Sequence, residues 1–273
     1  MISIPDIVPT GCRWTNNSCA YDALFFILYN MWLTDPIYFT ANFHSLNSEW
    51  LGLISETFQK HLCKEYTLEQ VRDYIRCKLC NAYPNHFTFG HNTSVEGLIS
   101  KIFTSQVVFN KSYRICSNDH QSHFVESFNC SLYPGGTGNM QWTTIQDFFN
   151  VCDNRPLPDP CVLCDSQMKK IDKIVHAPVL IAVIVSRTLT PADHALYINI
   201  NNSITQYNLC GIIYYGGEHF TARYIDRQQT VWFNDGVRTG HSSIKEGDIH
   251  QVDLIKCPDN RDAELYIYAK AVV

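Results

Sequence analysis

The chain has 273 residues, of which 45% are hydrophobic and 17% charged, and a formal net charge of -5. These figures describe a folded chain of one domain with an insertion, or of two small ones, and exclude a long disordered or low-complexity protein. An acidic balance with no Lys/Arg block speaks against nucleic acid as a partner, and no apolar run reaches the roughly 18 residues of a membrane-spanning helix.

The opening "MISIPDIVPTGC" has neither the basic start nor the apolar run of a secretion signal, so a reducing, cytoplasmic or nuclear setting is expected for the 12 cysteines. That setting deprives the sequons at Asn16, Asn92, Asn129 and Asn201 of meaning. The first element is helical. After Ser18 the apolar residues Ala20, Leu24, Ile27 and Met31 recur at the spacing of one helix face, with Trp32 and Pro36 marking its end. In "YTLEQVRDYIRCKLC" Thr67 and Gln70 fit a capping box, and Val71, Tyr74, Ile75 and Leu79 form the apolar stripe. A third helix is expected to begin at Thr93.

The texture then changes. "VVFNKSYRIC" predicts a strand running into the turn-prone "SNDHQSH", followed by the loop "NCSLYPGGTGNMQW" and the short helix "TTIQDFF". From Pro178 strands dominate: "PVLIAVIV" is continuously apolar, as in a strand covered on both faces, while "HFTARYI" and "ELYIYAKAVV" partly alternate. Helices first and strands later give an α+β fold. Neither "GIIYYGG", which lacks neighbouring basic residues, nor "YPGGTG", which lacks the lysine of a phosphate loop, signals a nucleotide site.

Chemistry is concentrated in two places. Cys19 stands at the start of its helix, where unpaired backbone N–H groups favour an anion and hence a reactive thiolate. Acyl transfer by a thiol also needs a base and a group that fixes the base's tautomer. "YYGGEHFTARYIDRQQTVWFNDG" offers His219 at the head of one strand and Asn234 and Asp235 at the end of the next, side by side in an antiparallel hairpin.

"NNSCAYDALF", followed some 200 residues later by "YNLCGIIYYGGEHFTARYI" and "VWFNDG", resembles the cysteine and histidine boxes of the ubiquitin-specific proteases. "PCVLCDSQMKKIDKIVHAPVLIAVIVSR" is similar to that family's second C-x-x-C knuckle and the strands after it. The resemblance implies a papain-like cysteine protease fold in a single catalytic domain, with a helical thumb at 1–104, a fingers-like insertion at 105–177 and an antiparallel palm at 178–273. It implies Cys19 as nucleophile, His219 as general base and Asn234 as the residue orienting it, with Asp235 at the adjacent acidic position. Neighbours on a strand face opposite sides, so only one of these two can point at His219, and Asn234 is expected to.

Two positions depart from the family pattern. Trp14 stands where family members usually carry an asparagine, so the oxyanion-binding amide is expected from Asn17 or Asn16. Glu218 replaces a glycine just before the histidine, adding a charge that favours the imidazolium. The family's paired knuckles imply a structural zinc: Cys161 and Cys164 form the second half, and Cys116 and His120 the preferred first half, with His123 in reserve. Cys77 and Cys80 are the alternative, but lie within a helix stripe.

The implied activity is deubiquitination, a thiol-dependent cleavage after the C-terminal glycine of ubiquitin that needs no cofactor for catalysis. Three other readings stay open, among them an unrelated zinc-stabilised interaction module in which Cys19 and His219 are core residues; the remaining two stay closer to the family. One keeps the chemistry and changes the partner to SUMO or another ubiquitin-like protein. The other is an inactive, modifier-binding relative.

Overall fold

The computed structural model describes residues 8–134, 142–186 and 188–272. Part of the expected loop after Tyr133 falls outside these residues.

Among the described residues five α-helices come first: α1 (Cys19–Leu33), α2 (Pro36–Leu46), α3 (Leu53–Leu62), α4 (Leu68–Ala82) and α5 (Val95–Ile102). Each of α2, α4 and α5 starts on a side-chain cap. Asp35 accepts from the Tyr38 N–H before Pro36, Thr67 and Gln70 form the reciprocal capping box, and Ser94 accepts from the Gly97 N–H. The cap of α5 is thus Ser94, one residue beyond the position predicted from Thr93. On α4 the stripe of Val71, Ile75 and Leu79 is buried, whereas Tyr74 is exposed and the buried places beside the stripe belong to Arg72 and Arg76.

Helix α1 is buried around its whole circumference from Cys19 to Trp32. It packs against α2, α4 and α5 and also against two strands of the main sheet, so a single apolar face does not suffice. Its aromatic residues meet both layers: Phe25 and Tyr29 stand edge-on to Phe58 of α3 at 5.8 and 5.1 Å, and Phe26 is edge-on to Tyr224 at 6.4 Å.

Among the described residues twelve strands follow: β1 (Asn110–Cys116), β2 (Val125–Ser127), β3 (Ser131–Leu132), β4 (Arg155–Pro160), β5 (Gln167–Ile174), β6 (Leu180–Ile184), β7 (Ala195–Ile200), β8 (Ser203–Gly216), β9 (His219–Ile225), β10 (Thr230–Asn234), β11 (Ile244–Asp248) and β12 (Asp262–Lys270). The short helix α6 (Ile145–Val151), capped by Thr144, lies between β3 and β4. A four-stranded sheet runs β2-β1-β5-β4 and a larger one β11-β10-β9-β8-β12-β6-β3, with β7 pairing β8. The small sheet takes its strands from both sides of a segment that returns to the large sheet, where Ser131 and Leu132 pair parallel with β6. All five residues of β6 are buried, as its continuous apolar run requires. Within β9 the residues after His219 are buried on both faces. One face lies against α1, and the other carries Arg223, paired with Glu246 at 2.6 Å. Among the described residues no helix is long and apolar enough to cross a membrane.

Candidate functional site

Cys19 is the first residue of α1 and is buried. Ser18 precedes it without capping the helix in the usual way. Its hydroxyl accepts from the Thr15 N–H at 3.0 Å and donates to Asp22 Oδ2 at 2.7 Å, while Asp22 N–H closes the first helical turn on the Ser18 carbonyl. Asn16 and Asn17 both have left-handed backbones, with φ of 49° and 56°.

His219 reaches this helix start from the large sheet. The turn before it is the two-residue hairpin Gly217-Glu218, with φ of 59° and 58°, and Gly216 pairs with His219 across it. His219 Nε2 lies 2.8 Å from Asp235 Oδ1, which leaves Nδ1 for a second partner. Burial opposes charge on the imidazole, but the Asp235 bond and the Cys19 sulfur outweigh it and push the pKa up to about 9. Glu218 is exposed at the turn tip, and the groups that act most on His219 are Asp235 and Cys19.

Asp235, not Asn234, is therefore the residue against the imidazole, which corrects the expectation. The Asn234 amide turns away and donates to the Gly240 and Ser242 carbonyls at 2.9 and 2.8 Å, tying down its own loop. Asp235 is almost fully buried, and although burial works against its ionisation, the His219 bond and the Val237 N–H at 2.9 Å hold its pKa below the usual carboxylate value. The turn after it nests on the cysteine segment. Trp14 N–H donates to the Gly236 carbonyl at 2.9 Å, and a Cβ at Gly236 would come within 3.0 Å of Asp22 Oδ2.

The two candidate oxyanion residues are differently used. The Asn17 amide donates one N–H to the Gly90 carbonyl at 2.8 Å, while Asn16 is exposed and its carbonyl accepts from Arg76 at 2.6 Å. Sequence reasoning missed what stands behind them. Arg72 is fully buried and donates to Asp22, Thr15, Asp73 and the Arg13 carbonyl. Asp22, buried in turn, has its pKa raised by desolvation to about 6 although Arg72 and Ser18 pull it down.

The second constellation is at the tip of the small sheet. Cys116, His120, Cys161 and Cys164 bring their ligand atoms within 4.8 Å of one another, so this cluster could bind a metal ion. Both halves are tight turns through one left-handed residue, Asp119 and Asp165, closed by Cys116 N–H on the His120 carbonyl and Cys161 N–H on the Ser166 carbonyl. The Cys116 and Cys164 sulfurs are 3.7 Å apart, and the Cys161 sulfur is 3.5 Å from His120 Nδ1. A tetrahedron built from bonds of about 2.3 Å to sulfur and about 2.0–2.1 Å to nitrogen has edges close to both lengths. Hydrogen bonds with Ser166 lower the Cys164 thiol to about 6, while the Cys161 thiol beside it is held above its ordinary value. The residues present fit zinc. His123 is exposed and stands outside the cluster, as do Cys77 and Cys80 on α4.

No protein-family model matches the sequence, and no curated protein matches it. In structure the chain is similar to the SAGA DUB module of Ubp8, Sgf11, Sus1 and Sgf73 bound to monoubiquitin, with 12% identity, a TM-score of 0.56, and 100% of this chain and 73% of that one covered. It is also similar to a yeast SAGA DUB module carrying mutant Sgf73, with 12% identity, a TM-score of 0.53 and coverage of 97% and 69%. The Ubp8 module bound to ubiquitin aldehyde gives 11% identity, a TM-score of 0.53 and coverage of 99% and 72%. The chain thus shares the mixed helix and sheet fold of these DUB-module structures.

Proposed function

We propose that the protein is a thiol isopeptidase that cleaves after the C-terminal glycine of ubiquitin. The observation that carries this reading is the meeting of Cys19, at the start of α1, with His219, whose Nε2 is held by Asp235 at 2.8 Å. The fold around it is shared with structures solved with monoubiquitin and with ubiquitin aldehyde bound.

In this mechanism the Cys19 thiolate attacks the glycine carbonyl carbon and the carbonyl π pair moves onto oxygen. The resulting oxyanion is met by the Cys19 N–H, which has no acceptor within its own helix, and by an amide of the Asn16–Asn17 loop. Collapse breaks the C–N bond as the His219 imidazolium gives its proton to the departing lysine amine. Water then adds to the thioester with neutral His219 taking its proton, and collapse of the second oxyanion returns the Cys19 thiolate and frees the carboxylate. Asp235 keeps the imidazole in one orientation and favours its charged form throughout.

In the same reading the helices form the thumb, the small sheet the fingers and the large sheet the palm. Zinc held by Cys116, His120, Cys161 and Cys164 would have all four positions closed and serve structure alone, fixing the finger turns.

Intact-mass labelling with ubiquitin and SUMO bearing a C-terminal alkyne warhead, on wild type and Cys19→Ala, tests the reading. A ubiquitin adduct lost in Cys19→Ala is expected. A SUMO-only adduct would change the substrate, and no adduct would leave a modifier-binding protein without activity.

A further inference from the structure

The loop that enters α1 carries two left-handed residues in succession, Asn16 and Asn17. Asparagine visits this conformation singly, and two residues in succession rarely hold it unaided. The support comes from α4, through two arginines one turn apart.

Arg72 fixes the loop at its ends, through the Arg13 carbonyl at 2.8 Å, the Thr15 hydroxyl at 2.8 Å and Asp22 at 2.7 Å. Arg76 fixes its middle. Its Nη2 donates to the Asn16 carbonyl at 2.6 Å, and its guanidinium is clamped by Asp73 at 3.1 Å and by the rings of Phe89 and Tyr21, at 4.4 and 5.1 Å from their centroids. A trans peptide points its C=O and its N–H in opposite directions. With the Asn16 carbonyl drawn to α4, the Asn17 N–H must face away from α4. Among the described residues the backbone N–H groups of Asn17, Ser18 and Cys19 donate to no protein acceptor, so three successive donors are left open beside the thiol. A flip of the Asn16–Asn17 peptide would replace the first of them with a carbonyl oxygen, which repels a developing oxyanion.

We propose that Arg76 is a positioning residue that locks the Asn16–Asn17 peptide in its donor-presenting orientation, so that the loop is preorganised for the oxyanion before substrate arrives. The inference rests on the thiol-protease reading above. It adds a residue 57 positions from the nucleophile that touches neither thiol nor substrate.

The test compares wild type, Arg76→Met and Arg76→Lys by kcat and KM on a fluorogenic ubiquitin C-terminal amide, by the rate of Cys19 alkylation with iodoacetamide, and by thermal unfolding. Alkylation forms no oxyanion, so it reports thiol and fold alone. Arg76→Met is expected to lower kcat about 10- to 100-fold, the scale of losing one oxyanion donor or slightly less, with KM and alkylation changed less than about twofold. Arg76→Lys, which can still donate to the carbonyl, is expected to recover part of kcat. An unchanged kcat, or a kcat that falls only in step with alkylation and folded fraction, overturns the proposal. If wild type ignores the ubiquitin substrate, the substrate reading fails by itself. The same comparison is then read on p-nitrophenyl acetate, whose hydrolysis passes through a tetrahedral oxyanion at the same thiol, and equal rates or none in wild type and Arg76→Met overturn the positioning role.

Discussion

At His219 two opposite influences meet, and their balance sets the pH range of the site. Burial disfavours the imidazolium, whereas Asp235 and the Cys19 sulfur favour it and prevail, giving about 9 against the ordinary 6.5. The folded state therefore holds more protons than the unfolded one between these values. Stability from this group is complete below about pH 6.5 and is lost as pH rises through about 9. The proposed activity needs the same imidazolium, so the alkaline limb of kcat/KM is expected near pH 9. Asp235→Asn should move that limb toward lower pH and cut kcat, while Asn234→Ala should leave the limb in place and loosen the loop it ties through Gly240 and Ser242. The reverse pattern in the two pH profiles would return the orienting role to Asn234. Glu218 yields a separate expectation. Its left-handed backbone is strained for a non-glycine residue, so Glu218→Gly should raise stability by up to about 1 kcal/mol in urea unfolding. The alkaline limb should stay where it is, because the charge of Glu218 is exposed at the turn tip.

Among the elements, α1 and α4 are joined by the Arg72–Asp22 pair, at 2.7 Å with both side chains out of solvent. Removing one partner of such a pair leaves a buried charge alone, at a cost of about 3–5 kcal/mol. Arg72→Met should lose that much in urea unfolding, and adding Asp22→Asn should recover much of it. Equal losses in the single and double variants would mean that the pair is not the source. This junction also marks where the sequence stops being readable. The cap of α4, the short helix α6, the apolar strand β6 and the order of helices before strands follow from residue types and local spacing, so they were legible. Arg72 and Arg76 were not, because on α4 they read as the solvated flank of a stripe. They are buried only because residues 13–16 run over them and offer carbonyls, which every residue has. Helix α2 was signalled by Asp35-Pro36, a cap followed by a first-turn proline, but Pro36 reads equally as the end of the helix before it. The choice between Asn234 and Asp235 turns on the strand end: alternation shows that one faces His219, and only the path of the turn at Gly236 decides which.

For the whole molecule, the two sheets separate two tasks. Cys19, His219 and Asp235 stand where α1 meets the large sheet, whereas the Cys116, His120, Cys161 and Cys164 cluster closes the tip of the small one. The cluster's turns extend from the ends of β1, β4 and β5 and carry Val162 and Leu163 exposed between their cysteines. So short a segment has little core of its own, and in the proposed function its shape depends on a metal cross-linking the four ligands. In the proposed function this tip contacts the modifier and not the scissile bond. Elemental analysis is accordingly expected to find about one zinc per chain, absent from a Cys161→Ser/Cys164→Ser variant. That variant should bind ubiquitin more weakly and raise KM about 10-fold or more, the equivalent of about 1.4 kcal/mol, while Cys19 alkylation proceeds at the wild-type rate. A variant that loses alkylation together with binding would show that the tip supports the thiol site as well. A metal-free wild type with normal KM would show that the turns hold their shape through their own backbone hydrogen bonds.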